Sequence, residues 1–325
     1  MADLDLQQLV EEYPNVTGIE KLDGLFFPVS EEYIRIPVKG SMVIVEKKAI
    51  FTVDPDSQAV SLLGVFHPNY RLLEHSEAFL TLFTALRDLG ISATVQDLSL
   101  SKNRARVSAL IEFPDYVLFK GEPDEMMLRV YLTNSYDGSS NFVFSLAACR
   151  MICLNGMYLG FFRGALAGRH NAQLHDQLGK IRDVIFGILT EGPKALEAFY
   201  RELSTEIPPE ILEKPANFYR LASDTGLGRK MTEEAHMRIR QYRSSGELQT
   251  WWDLYNIYTR VISHMSRSLS ASVRHSSAFN DNLDRLMKVR RKPVVIDVDI
   301  EEAEPSEEAA PEAVPSHPAV DEVLS

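Results

Sequence analysis

The apolar residues of this chain keep two different periods, and where each period holds decides what the chain can fold into. Between Arg104 and Phe113 the alternation is strict: Ala105, Val107, Ala109, Ile111 and Phe113 fall on one side, with Arg104, Arg106, Ser108 and Glu112 mostly opposite. A period of two sends successive side chains to opposite faces of a strand. This segment therefore reads as a strand with one buried face and one face carrying positive charge. Leu128, Val130 and Leu132 alternate in the same way with Arg129, Tyr131 and Thr133. Phe142, Phe144 and Leu146 repeat the pattern beyond the polar run Asn134-Ser135-Tyr136-Asp137-Gly138-Ser139. Two alternating runs around a turn that contains Asp-Gly predict an antiparallel hairpin. Polar groups gathered at the end of a rigid hairpin are placed to act, with Asn134, Asp137 and Gly138 as the candidates. Ordinary turn chemistry accounts for the same residues.

Upstream, Tyr33 to Pro37, Met42 to Val53 and Ala59 to His67 are rich in Val, Ile and Phe and read as strands, the last two joined through Asp54-Pro55-Asp56. From Glu74 to Leu89 the period lengthens to three and four, with Phe79, Leu82, Phe83, Leu86 and Leu89 on one face and Gly90 as the C-cap. Leu4 to Glu12 reads as a short helix. Beyond Asn171 the helical period persists to about Lys292, through 172–190, 194–203, 209–222, 232–243 and from Trp251 onward. The reading is an α+β fold. It has an acidic N-terminal segment (1–30), an antiparallel β-rich core with one packed helix (31–170) and a helical region (171–292). A tail (293–325) rich in Glu, Pro and Ala has no aromatics, and its composition predicts disorder.

The formal net charge of −12 is unevenly spread. Ten acidic residues and no Lys or Arg lie between Asp297 and Ser325, whereas Lys214 to Lys292 holds fifteen Lys and Arg against seven Asp and Glu. Acidity of the whole chain is thus no argument against a nucleic-acid partner. Drawn as one continuous helix, Trp251 to Arg291 places Arg260, Arg267, Arg274 and Arg285 within about 40° of one line, with His264 beside them. Such a cationic stripe suits a phosphate backbone. A solvated polar face has the same composition, and the Ser-rich stretch Ser266 to Ser277 is where such a helix would break. Lys102, Arg104 and Arg106 form a second basic group. A third spans Arg150, Arg163, Arg169, His170, Lys180 and Arg182, interleaved with Phe161 and Phe162, the composition of a single-strand groove and equally of a core edge beside surface charge.

No phosphate-binding GxxxxGK[ST], GxSxG, HExxH or EF-hand loop occurs, and Gly226-Leu227-Gly228 departs from GxGxxG because Met231 stands at the third glycine. No catalytic residue and no cofactor site is assigned. Cys149 and Cys153 lie one helical turn apart if that stretch is helical, and without two further ligands at a usual spacing they read as buried free thiols rather than a metal site. The N-terminus lacks a basic region followed by an apolar run, so no signal or transit peptide is read. The apolar run Phe142 to Phe162 is long enough to span a bilayer but carries Arg150 near its centre. It reads as a buried strand passing into a helix. A cytoplasmic protein is expected.

Several of these pieces recur in a fixed order. Val65-Phe66-His67-Pro68-Asn69-Tyr70, the run Asn134 to Ser139, then Arg150, Cys153 and Asn155, then Arg169-His170, then Trp252-Asp253-Leu254-Tyr255-Asn256 resemble the domain-of-unknown-function 932 family over roughly residues 30 to 290. That family is carried by phages, plasmids and related mobile elements, and the resemblance implies such a context, a bacterial host's cytoplasm if phage-encoded, with no established activity. A helix, a run of antiparallel strands and a further helix is also the element order of Rad52-like annealing proteins, a fold-level analogy. The expectation is a non-enzymatic protein that binds or anneals single-stranded DNA in replication or recombination. Lys102, Arg104, Arg106, Arg150, Arg163, Arg169, Arg260, Arg267, Arg274 and Arg285 would hold phosphates, and the acidic tail would recruit a protein partner or regulate access. Two other readings stay open. One is a small-ligand protein or enzyme with a pocket between the β-rich and helical parts, using the Asn134 to Ser140 loop and His170. The other is a structural or interaction protein of a mobile element, with homo-oligomerisation unassigned.

Overall fold

A computed structural model describes residues 6–54, 57–121, 124–150, 155–158, 166–168 and 170–289. The tail at 293–325, together with Arg163 and Arg169, lies outside the described residues. Helix α1 (Leu6–Glu12), strand β1 (Val16–Thr17) and a short 3-10 turn at Ile19–Leu22 carry Leu9, Tyr13, Val16, Ile19 and Leu22 into the main core. β2 (Ser30–Val38), β3 (Ser41–Val53) and β4 (Val60–Phe66) make a separate three-stranded antiparallel sheet. Helix α2 (His75–Leu89) follows, ending at Gly90 in the left-handed conformation that only a residue without Cβ adopts cheaply. The larger sheet is built from β5 (Ala93–Leu100), β6 (Arg106–Leu118), β7 (Met126–Ser135) and β8 (Phe142–Arg150) as an antiparallel meander. β1 adds to its β5 edge in parallel. At the other edge β9 (Asn155–Tyr158) pairs with the second half of β8, and β10 (Leu166–Gly168) with the first.

The alternation read in the sequence is the pleat of this meander. Ala105, Val107, Ala109, Ile111 and Phe113 are all wholly buried, and Leu128, Val130, Leu132, Phe142, Phe144 and Leu146 join them under α2 and α4. The opposite face of β6 is not the solvated cationic face that was expected. Ser108 and Leu110 are buried, Glu112 pairs with Arg129, and the Tyr131 hydroxyl donates to Ser108 Oγ at 3.2 Å. Leu269 and Val273 of the last helix cover Leu110, Tyr131 and Ala147. Positive charge is confined to Arg104 and Arg106 at the start of the strand.

The helical part comprises α3 (Ala172–Leu178), α4 (Ile181–Leu203), α5 (Pro209–Leu212), α6 (Pro215–Asp224), α7 (Arg229–Ser245), α8 (Trp251–Met265) and α9 (Leu269–Met287). Three expectations need correction. The break anticipated near residues 190–194 is absent: α4 passes through Pro193. Proline removes one backbone bond there, but Val184, Ile185, Ile188, Leu196, Phe199 and Leu203 form one buried face on both sides of it. At about 1.5–3 kcal/mol per buried side chain, that face outweighs the loss. The helix drawn as continuous from Trp251 to Arg291 is instead two helices, broken in the Ser-rich stretch anticipated as its weak point. Ser266 is extended (φ −67°, ψ 139°), and Ser268 caps α9 by accepting from Ala271 N at 3.3 Å. Residues 155–158 are a strand and not a helix, and Cys149 lies in β8 opposite Met127. Its neighbour Cys153 is outside the described residues. Among the described residues no helix is long and apolar enough to cross a membrane.

The smaller sheet has an unusual surface. β4 pairs with β3 only from Lys48 to Val53, so Arg35–Val38 and Ser41–Ile44 run on as a two-stranded ribbon closed by Lys39 (φ 47°) and Gly40 (φ 84°). Two central residues with positive φ make the turn whose twist matches paired strands. Tyr33, Ile36, Val38, Met42, Val43, Ile44, Val60, Leu62 and Val65 of this sheet are all exposed, at 43–67 %.

Candidate functional site

The motif segments converge at the end of β7. Asn134 falls on the same side of that strand as Val130 and Leu132, so the pleat that buries those residues also buries its amide. A buried primary amide must find partners for both ends. Its Nδ2 donates to Leu73 O at 2.9 Å and to His75 Nδ1 at 3.0 Å, and its Oδ1 accepts from His170 Nε2 at 2.7 Å. With Nδ1 accepting, His75 carries its proton on Nε2 and donates to Arg104 O at 3.2 Å. Burial lowers His75 to about 3 and His170 to about 4, so both rings are neutral at pH 7.

An aromatic shell closes over this polar node. The His75 ring stacks on Tyr136 at 3.8 Å between centroids, and the Tyr136 hydroxyl accepts from His75 N at 2.6 Å. Tyr70 meets His170 edge-on at 5.2 Å, and Phe66 stacks on Tyr70 at 4.1 Å. The two glycines beside Phe66 make that approach feasible. A Cβ on Gly138 (φ +69°) would stand 2.8 Å from Phe66 Cε1, and one on Gly64 would stand 2.4 Å from its Cε2. Asp137 closes the turn by accepting from Ser139 N at 2.9 Å. The node thus ties β4 and the loop after it, the start of α2, the β7–β8 turn and His170 together. Asn134 spends both of its amide protons and one of its two Oδ1 lone pairs on protein groups.

The cations lie elsewhere. Lys102 and Arg104 are exposed on the β5–β6 turn, where Arg104 sits 5.6 Å over the Phe27 ring; Arg106 is half-buried at the head of β6. Arg150 ends β8 opposite Met126 and Asn155. Arg260 is exposed on α8, and Arg285 on α9 donates to Asn282 Oδ1 at 3.0 Å. The break at Ser266 removes the straight stripe but turns Arg267 and Arg274 toward the start of α7. There they line a cleft of about 570 Å³ with Gly226, Gly228, Arg229, Lys230 and His275. Gly228 offers no capping side chain, and the first turn of α7 holds no acidic residue, so its amide donors and dipole face the cleft uncompensated. Arg229 is paired with Glu233 at 2.8 Å. Lys230, Arg267 and Arg274 have no carboxylate partner among the described residues. Burial and the Arg274 charge lower the His275 pKa, so this ring is neutral at pH 7 and adds no charge of its own.

A family model described as Domain of unknown function (DUF932) matches residues 62–291. The chain belongs to this family. No curated protein and no solved structure matches it. The DUF932 span begins within β4, so it includes the whole histidine node and the basic cleft, whereas the exposed ribbon precedes it entirely. Within the DUF932 region, sequence reasoning found Asn134 and His170 but missed His75, whose partners lie 59 and 29 residues away. Lys230 was also missed, although a Gly-x-Gly-Arg-Lys run at a helix start is a readable signal for an anion site.

Proposed function

We propose that this DUF932 protein is a non-enzymatic nucleic-acid-binding protein of phage or plasmid type, acting in the cytoplasm on single-stranded DNA during replication or recombination. The observation that carries this reading is the cleft at the start of α7, which Lys230, Arg267 and Arg274 line with no carboxylate partner among the described residues, beside a helix terminus without a side-chain cap. Phosphate groups are the ligands such a site favours. Arg260, Arg285, Lys102 and Arg104 are exposed and would extend the contact along a strand. The acidic residues 297–325 would compete with DNA for the cations or dock a protein partner. No cofactor enters this reading.

A binding titration with single- and double-stranded oligonucleotides at two salt concentrations, with and without residues 297–325, tests it. The expected result is single-strand binding that weakens steeply with salt and strengthens on truncation. The triple variant K230E/R267E/R274E should flatten the log–log salt slope by about 2, at roughly 0.7 per lost phosphate contact. Binding of the truncated protein at low salt no stronger than that of a neutral control protein overturns the proposal.

A further inference from the structure

Beyond the last helix the sequence changes character within a few residues. Ile296, Val298 and Ile300 alternate with Asp297, Asp299 and Glu301, and Glu302 and Glu304 follow with no Lys or Arg among them. On an extended backbone this alternation puts three β-branched side chains on one side and three carboxylates on the other. The cleft at the start of α7 has the complementary make-up. Lys230, Arg267 and Arg274 bring positive charge to it with no carboxylate partner among the described residues, and Met231, Met265 and Ala271 supply its apolar lining.

We infer that residues 296–301 of the same chain occupy this cleft when no phosphate does, with Asp297, Asp299 and Glu301 on the cations and the alternate apolar side chains on the methionines. The inference rests on the reading of the cleft as an anion site and gives that site a built-in competitor. Chain length permits it. Arg274 precedes Lys288 by fourteen residues along α9, which at 1.5 Å per residue is about 21 Å. Lys288 is left-handed (φ 59°), and Val289 N donates to Asp284 O at 2.9 Å. This capping turn ends the helix and leads the chain off its axis. Nine residues then carry it from Lys288 to Asp297 and extend to about 30 Å, enough to return along α9 to the cleft. Arg290, Arg291 and Lys292 lie in that connection and are the rival partners for the acids, but they offer Ile296, Val298 and Ile300 no apolar lining. So short a tether holds the segment at roughly millimolar effective concentration. A phosphate ligand then binds only by displacing it, and its apparent affinity is reduced by the fraction of molecules in which the cleft is free.

Carbodiimide coupling joins a lysine to a carboxylate in contact with it, and among the described residues Lys230 is the lysine that lines the cleft. The dilute full chain is treated in low salt without DNA, and coupled peptides are identified by mass spectrometry. Lys230 should couple to Asp297, Asp299 or Glu301 about ten times more often than the exposed Lys102 does, as a tethered contact exceeds chance collision. R267E/R274E keeps Lys230 and every carboxylate of the segment, yet reversing the two charges should lower this coupling about fivefold or more. Salt at about 1 M, where screening acts within about 3 Å, should do the same in the wild type. Coupling of Lys230 to the segment no more frequent than that of Lys102 overturns the inference, and so does coupling unchanged in R267E/R274E. Should that variant fail to fold, the salt comparison on the wild type decides, and coupling that survives screening refutes the inference. Mixing isotope-labelled with unlabelled chain identifies the donor: coupled pairs of one isotope support a same-chain contact, and a predominance of mixed pairs refutes it. Because the assay contains no DNA, failure here and failure of strand binding are separate results.

Discussion

Acidification should unfold this protein through its two buried imidazoles, and the structure sets the size of the effect. His75 and His170 have pKa values near 3 and 4 in the fold, against 6.5 in an unfolded chain. Because both values are depressed, the unfolded chain takes up two protons that the folded one refuses. The stability contributed by the neutral rings is complete above pH 6.5 and is lost progressively as pH falls toward 4. Each pH unit within that window costs about 1.4 kcal/mol per ring, so a drop from pH 8 to pH 5 removes about 2 kcal/mol for each and about 4 kcal/mol together. The reason is specific: a proton on His75 Nδ1 would confront the Asn134 amide N–H that this nitrogen now accepts. Urea denaturation followed by the fluorescence of Trp251 and Trp252, both in the core, measures the slope directly. His170→Gln should reduce the dependence of stability on pH between 6 and 5 by about 1.4 kcal/mol per pH unit, whatever it costs at pH 8. An unchanged slope in that variant would refute the assignment of a neutral buried ring.

Asn134→Ala leaves Leu73 O and two imidazoles without their partner in a buried site, and should cost about 3 kcal/mol or more in the same denaturation assay at pH 8. Gly138→Ala meets both a positive φ and the Phe66 ring, so a loss of about 2–3 kcal/mol is expected. Gly40→Ala, at a similar φ but in open space, should lose only about 1 kcal/mol; equal losses would mean that contact with Phe66 is unimportant. Thr250 heads a capping box with Asp253 at the start of α8, and Thr250→Ala should lower stability by about 1 kcal/mol as read from the urea midpoint.

Local patterns carried the fold where burial followed them. The Arg104–Phe113 alternation, the β7–β8 hairpin and the Glu74–Leu89 periodicity ending at Gly90 each depend on neighbours within a few residues, and each reappears in the structure within a few residues of its expected place. Propensity misled where tertiary packing overrode it: Pro193 sits inside a helix because its flanks share one apolar face. The break at Ser266 was legible, since it falls in the Ser-rich stretch Ser266 to Ser277, where side-chain capping at Ser268 competes with helix continuation. The Asn134 node was half legible. Asn134 and His170 stand in motif-like runs, but His75 looks like any helix-start residue until the sheet brings Arg104 O and Asn134 to its two nitrogens. The basic cleft depended on that same break at Ser266, which no spacing along a single helix could display.

The cover on the second face of the large sheet has a consequence for synthesis on the ribosome. Leu110, Tyr131 and Ala147 are sealed by Leu269 and Val273, which lie at the far end of the chain. At 5–20 residues per second, the roughly 120 residues between Ala147 and Leu269 take about 6–24 s to emerge. Once α4 has followed, a nascent meander has one face under its helices and one face waiting for α9, and a chaperone or a neighbouring nascent chain can reach it first. Ribosome stalling between the codons for β8 and α9 should therefore lower the yield of native protein more than an equal pause near the N-terminus.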